Sequence, residues 1–163
     1  MRSLLLSLSL AVATVTAGSA FAQPPAASPA ASTASVSPAA AEAAKVVDGF
    51  MSALVNGQFD TARQLMTPEA VVMSNGQVLG LRDVYIDGAA RGDSTALRSV
   101  QRELVRRDVR GSNDVAWILS EKRLRPMAAT ANGPSETVIE TMVLARTASG
   151  WKITHIHWSG RHG

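Results

Sequence analysis

Cysteine is absent from the 163 residues, which excludes a disulfide framework, thiolate metal ligation, a cysteine nucleophile and a lipid-bearing N-terminal cysteine. Aromatic residues are scarce, with one tyrosine, three phenylalanines and three tryptophans. Nucleic acid is disfavoured on that ground, because base stacking needs aromatic platforms and the basic stretch of the chain carries only Trp117. The sequence also lacks a glycine-rich phosphate loop, a serine nucleophile elbow, a Walker motif and a zinc-binding pattern. Beyond the N-terminus no apolar run approaches the about 20 residues that span a bilayer. Stability must therefore come from a packed core.

What is present begins with a secretion pattern. Arg2 supplies a positive charge, Leu4 to Val15 an apolar stretch, and Ala20-Phe21-Ala22 a small-x-small cleavage site before Gln23. An uncleaved membrane anchor is the rival reading, but serines interrupt the run and it is short for a span. Residues 1–22 are thus read as a secretory signal peptide, and a periplasmic or secreted protein is expected. Residues 23–40 are built almost wholly of Ala, Pro and Ser. Such a segment buries too little apolar surface to offset the entropy of ordering, so it reads as a disordered linker. Residues 41–163 remain for the folded domain.

The formal net charge of +3 becomes +2 once Arg2 is removed. Between Arg98 and Arg125 the basic residues Arg98, Arg102, Arg106, Arg107, Arg110, Lys122, Arg123 and Arg125 face Glu103, Asp108, Asp114 and Glu121. That density reads as a solvated sheet face with cross-strand ion pairs, or as a basic surface for an anionic envelope partner.

Ser37-Pro38 has the form of an N-cap followed by a first-turn proline. Val46, Val47, Phe50, Met51 and Leu54 continue at helical spacing until Gly57. Phe59, Ala62, Leu65 and Met66 predict a second helix ending before Pro68. Ser74-Asn75-Gly76 predicts a hairpin between Ala70–Met73 and Gln77–Leu79. Leu81, Val84, Tyr85 and Gly88 predict a third helix ending near Gly92. Four long strands follow: 97–110, 114–125, 135–146 and 151–159. Alternation in the first of them is imperfect, which predicts a bulge. The second and third strands are apolar on both faces, so both faces should be covered. Three helices can cover one, and a second copy of the chain the other, with Ile156 and Trp158 as candidate contacts.

The element order and the Gly150-Trp151-x-Ile153-x-His155-x-His157-x-Ser159 ending, together with Val46–Phe59, Gly80–Tyr85 and Glu140–Arg146, resemble the nuclear-transport-factor-2-like superfamily. More narrowly they are similar to its SnoaL-like and ketosteroid-isomerase-like exported domains of unknown function. The resemblance implies an α+β fold, α-α-β-β-α-β-β-β-β, in which three N-terminal helices pack on a strongly curved, mainly antiparallel sheet rolled into a cone. It also implies an apolar internal pocket and frequent homodimerisation. It carries no catalytic set, since the steroid isomerases place a tyrosine on the first helix and the only tyrosine here, Tyr85, is on the third.

Period two places Trp151, Ile153, His155, His157 and Ser159 on one face of the last strand. If Arg146 pairs with Trp151, then Leu144 opposes Ile153, Met142 opposes His155 and Glu140 opposes His157. A carboxylate beside an imidazole fixes its tautomer and raises its pKa, as a general base requires. His155, His157 and Glu140 are therefore the candidate catalytic residues, and Tyr85, Met142, Trp151, Ile153 and Ser159 the candidate pocket lining. The same residues also fit a satisfied polar pair in the wall of the cone. No metal or cofactor is expected, and His162 is read as a bystander. Arg91-Gly92-Asp93 spells an adhesion tripeptide, treated as coincidence.

The expected function is binding of a small apolar or aromatic molecule without an assigned reaction. The alternatives are an acid-base enzyme of the isomerase, dehydratase or hydrolase type, and a non-catalytic interaction module of the cell envelope. The secretion reading has a direct check. Protein recovered from the periplasm or medium of an expressing bacterium should begin at Gln23 by N-terminal sequencing, and a chain retaining Arg2 would contradict cleavage.

Overall fold

A computed structural model describes residues 36–128 and 133–162, of which the His162 side chain is excepted. The signal and most of the linker predicted from sequence lie outside the described residues. The elements run α1 (Pro38–Val55), α2 (Phe59–Gln64), β1 (Met66–Ser74), β2 (Gln77–Leu81), α3 (Arg82–Asp87), α4 (Ala90–Arg98), β3 (Val100–Gly111), β4 (Val115–Pro126), β5 (Glu136–Thr147) and β6 (Gly150–His162). This is the expected helix-then-sheet cone, with its third helix divided in two at Gly88. Two further boundaries move. Met66 opens β1 instead of closing α2, and Leu97 lies in the last turn of α4 instead of opening β3.

The start of α1 is fixed by Ser37, whose hydroxyl accepts the Ala40 backbone N–H at 3.2 Å, with Pro38 at the first helical position. Its end is a Schellman turn. Gly57, at φ 69°, donates to the Leu54 carbonyl and Gln58 donates to that of Ala53. Between these caps Ala43, Val47, Phe50 and Leu54 recur every three or four residues and are buried. The stripe lies against the concave face of the sheet, where Ile118, Met142, Leu144, Ile153 and Ile156 are buried with it.

The six strands are ordered β2-β1-β6-β5-β4-β3. All neighbours are antiparallel except β1 and β6, which run parallel. The Asn75-Gly76 hairpin forms as predicted, with φ of 47° and 79° at the two turn residues.

Besides register shifts in the β2-β1-β6 pairing, two single-residue irregularities shape the long antiparallel strands. In β3 the register moves between Leu104 and Arg106, leaving Val105 unpaired, which is the predicted bulge. In β6 it moves at Thr154: Leu144 pairs with Ile153, but Val143 pairs with His155. The Thr154 hydroxyl donates to the Val143 carbonyl at 3.1 Å and holds the extra residue in place. Because side chains alternate with period two, one inserted residue exchanges the faces of everything beyond it. Trp151 and Ile153 face the helices before the bulge, and Ile156 and Trp158 face them after it.

The convex face carries Trp117, Leu119, Ile139, Thr141, Val143, His155, His157 and Ser159 by the same alternation. Trp117 is 46% exposed there. The proposed convex contacts Ile156 and Trp158 are thereby corrected, since both lie on the concave side.

Candidate functional site

The concave face is packed solid at the end held by Phe50, Leu144 and Ile153 and hollow at the other. The hollow has a volume of about 300 Å³. Met51 and Leu54 of α1 and Asp93, Ala96 and Leu97 of α4 form one wall, and Arg102, Lys122, Leu124, Glu136, Val138, Glu140 and Trp158 of the sheet form the other. Ser74, Asn75 and Gly160 close one side.

Its polar floor is set by strand register. Arg107, Ser120, Glu140 and Trp158 form one cross-strand row, and Lys122 stands in the next row, on the same face. Lys122 Nζ donates to both carboxylate oxygens of Glu140, each at 2.8 Å, and Trp158 Nε1 donates to Glu140 Oε2 at 2.9 Å. The two charged side chains are 13% and 1% exposed. A carboxylate this deep is tolerated because donors on two sides replace the water it loses.

A second polar group hangs from the helical wall. Tyr85 is fully buried and its hydroxyl donates to Asp93 Oδ2 at 2.8 Å. Burial, reinforced by the Asp93 charge and hydrogen bond, pushes the Tyr85 phenol far above its usual range. Burial likewise raises the Asp93 carboxyl above the ordinary aspartate value, with the Tyr85 hydrogen bond opposing it. The Tyr85 and Trp158 rings meet with centroids 6.0 Å apart at 46°. One continuous chain of contacts thus runs from Asp93 through Tyr85, Trp158 and Glu140 to Lys122.

Of the eight residues nominated from sequence, only Glu140 lines this hollow. His155 and His157 are on the convex face, half-buried, opposite Val143 and Thr141. The expected pairing of Glu140 with His157 does not form, and Trp158 takes that place because of the Thr154 bulge. Ser159 is turned to the convex face by the same slip, opposite Ile139. Tyr85 acts through Asp93 from behind the wall. Met142, Trp151 and Ile153 are core residues, and the Arg146 guanidinium lies 5.8 Å from the Trp151 ring centroid. Among the described residues no three His, Asp or Glu side chains converge as metal ligands.

Sequence reasoning missed Lys122, Trp158, Asp93 and Arg102. For Lys122 a signal existed. It shares parity with Ala116, Ile118 and Ser120 in β4, all buried, so a lysine in that series calls for a buried acid nearby. Asp93 had no such marker and was set aside with the adhesion tripeptide.

A family model described as a SnoaL-like domain matches residues 43–161. A candidate ketosteroid isomerase from Shewanella frigidimarina is similar in structure, with a TM-score of 0.66 and 26% identity, over 72% of this chain and 94% of its own. A nuclear-transport-factor-2-like protein of unknown function from Pseudomonas putida gives 0.64 at 18% identity, over 76% and 88%. A candidate dehydratase of the same fold from Streptomyces avermitilis gives 0.57 at 21% identity, over 75% and 95%. No curated protein matches the chain significantly.

The ion pair makes a measurable prediction. Lys122→Met leaves the Glu140 carboxylate buried with the indole as its remaining donor and should cost roughly 3–5 kcal/mol in urea unfolding. Lys122→Met combined with Glu140→Leu should recover most of that loss. A single variant as stable as wild type would show that the pair is solvated.

Proposed function

The chain belongs to the SnoaL-like domain family, and from that premise we propose that it is an exported domain that binds a small, largely apolar molecule in the hollow between α4 and the sheet. The observation that carries this reading is the cavity of about 300 Å³, walled by Met51, Leu54, Leu97, Leu124, Val138 and Trp158 and floored by the Lys122–Glu140 pair. That volume is at the lower end of small-molecule sites, which combine apolar walls with a few converging polar groups. The structural relative named for ketosteroid isomerisation supports it, because a ketosteroid is a molecule of that kind. Export is supported by the charged start, apolar stretch and Ala20-Phe21-Ala22 site. Catalysis by a histidine–glutamate pair loses its support, since the sheet stands between Glu140 and both imidazoles.

We infer further that two copies associate through the convex face. Trp117 and Ile139 are exposed there beside half-buried Leu119 and Val143, an apolar patch of the sort that marks an interface. A homodimer that buries this face would also cover the strands that are apolar on both sides.

Two measurements test these readings. Compounds that raise the melting temperature of the wild type should lose that effect in Ala96→Phe, which fills the hollow from α4; equal shifts in both proteins would place the binding elsewhere. In sedimentation, the wild type should run at twice the monomer mass and Trp117→Arg/Ile139→Asp as a folded monomer. An unchanged mass in the double variant would remove the convex face as the interface.

A further inference from the structure

A second hollow, of about 530 Å³, lies between α1 and the edge strand β3, and shares Met51, Arg102 and Lys122 with the first. Its remaining lining includes Asp48, Val55, Leu104 and Arg107, with Glu103 on the rim. Arg102 lines both hollows, so its guanidinium is within reach of a group bound in either.

The charges around the second hollow cancel in pairs, with one exception. Arg107 is held by Asp48 at 2.8 Å, Lys122 by Glu140 at 2.8 Å, and Glu103 by Arg123 at 3.1 Å. Arg102 donates to the Leu97 carbonyl and, among the described residues, has no carboxylate partner. A guanidinium has five N–H donors, and a planar oxyanion can take two of them in parallel. The Val105 bulge puts it there. Without the extra residue, the alternation that places Val109 and Arg107 on the concave face would bring Glu103 inward and turn Arg102 away.

The first hollow has the opposite bias. Asp93, Glu136 and Glu140 all line it, answered by Lys122 and, at its edge toward the second hollow, by Arg102 itself. An anionic group is repelled from the acidic side and attracted to that edge.

Resting on the binding reading above, we propose that the ligand is an elongated apolar carboxylic acid, whose body fills the first hollow beside Trp158 and whose carboxylate sits at the edge toward the second, on Arg102. The acid-lined inner hollow fixes the orientation, and the arginine fixes the class.

Isothermal titration of the mature protein with octanoate, octanol and octylamine tests this. Octanoate should bind at least about tenfold more tightly than octanol, as a charge-assisted hydrogen-bond pair provides. Arg102→Met should erase that preference and leave octanol binding unchanged, while Arg102→Lys should retain part of it. Circular dichroism confirms that each variant is folded. If octanol or octylamine binds wild type as tightly as octanoate, or if Arg102→Met keeps the preference, the carboxylate assignment is wrong and the cavity reading stands. If no probe binds, or if Ala96→Phe leaves the binding untouched, the cavity reading fails and this proposal falls with it.

Discussion

The extra residue at Thr154 decides which chemistry this cone contains. Beyond it every side chain of β6 changes face, so Ile156 and Trp158 reach the helices and His155 and His157 do not. The alternative is costly. A slip that removed the bulge would turn two half-polar imidazoles against the packed interior and expose an isoleucine that is now fully buried, losing about 1.5–3 kcal/mol for that residue alone. It would also leave Glu140 without the indole N–H it accepts. Register here is set by the sum of these contacts, with the Thr154 hydroxyl closing the carbonyl that the bulge disturbs.

The polar floor follows from that register. Glu140 sits on the concave face of β5 with Met142 and Leu144, a position that apolar packing would otherwise fill. A buried ion pair of this kind adds little net stability over an apolar substitute, because desolvation offsets most of the attraction. Its effect is to hold a fixed pair of charges at the floor of the hollow, beside Leu54, Val138 and Trp158. Trp158 ties the pair to the helical wall through Tyr85 and Asp93, so the polar groups on both sides of the hollow are held by one set of contacts.

Much of the scaffold was legible in the residues. The Ser37 cap, the Gly57 stop, the Asn75-Gly76 hairpin and the Arg146–Trp151 pairing each rest on a local rule with a strong preference, and each is present. The site was legible only in part. In Trp151–Ser159 both parities offer a plausible inner face: one supplies Trp, Ile and two histidines, the other Ile and Trp. Period two cannot reveal where the chain switches between them. In β3 the broken alternation itself gave the bulge away, whereas β6 alternates without a fault in its sequence. The division between α3 and α4 escaped notice for a related reason. Its helical stripe continues across Gly88, and only the packing of Tyr85 and Ile86 on one side and Ala90 and Ser94 on the other shows that two helices are needed.

The two bulges also explain why the hollow opens at one end of the cone. Before Thr154 and on the Gly111 side of Val105, the concave rows are Val109–Ile118–Met142 and Ala116–Leu144–Ile153, which the side chains of α1 fill. Past the irregularities the facing residues include Arg102, Lys122, Glu136 and Gly160, three long polar side chains and a glycine that fills nothing. Helix α1 has already ended at Val55, and α4 crosses in its place with small Ala96 toward the sheet. Space is therefore left where polar groups are concentrated. The family resemblance accounts for a cone. These bulges, each a single residue, account for what this particular cone is able to hold.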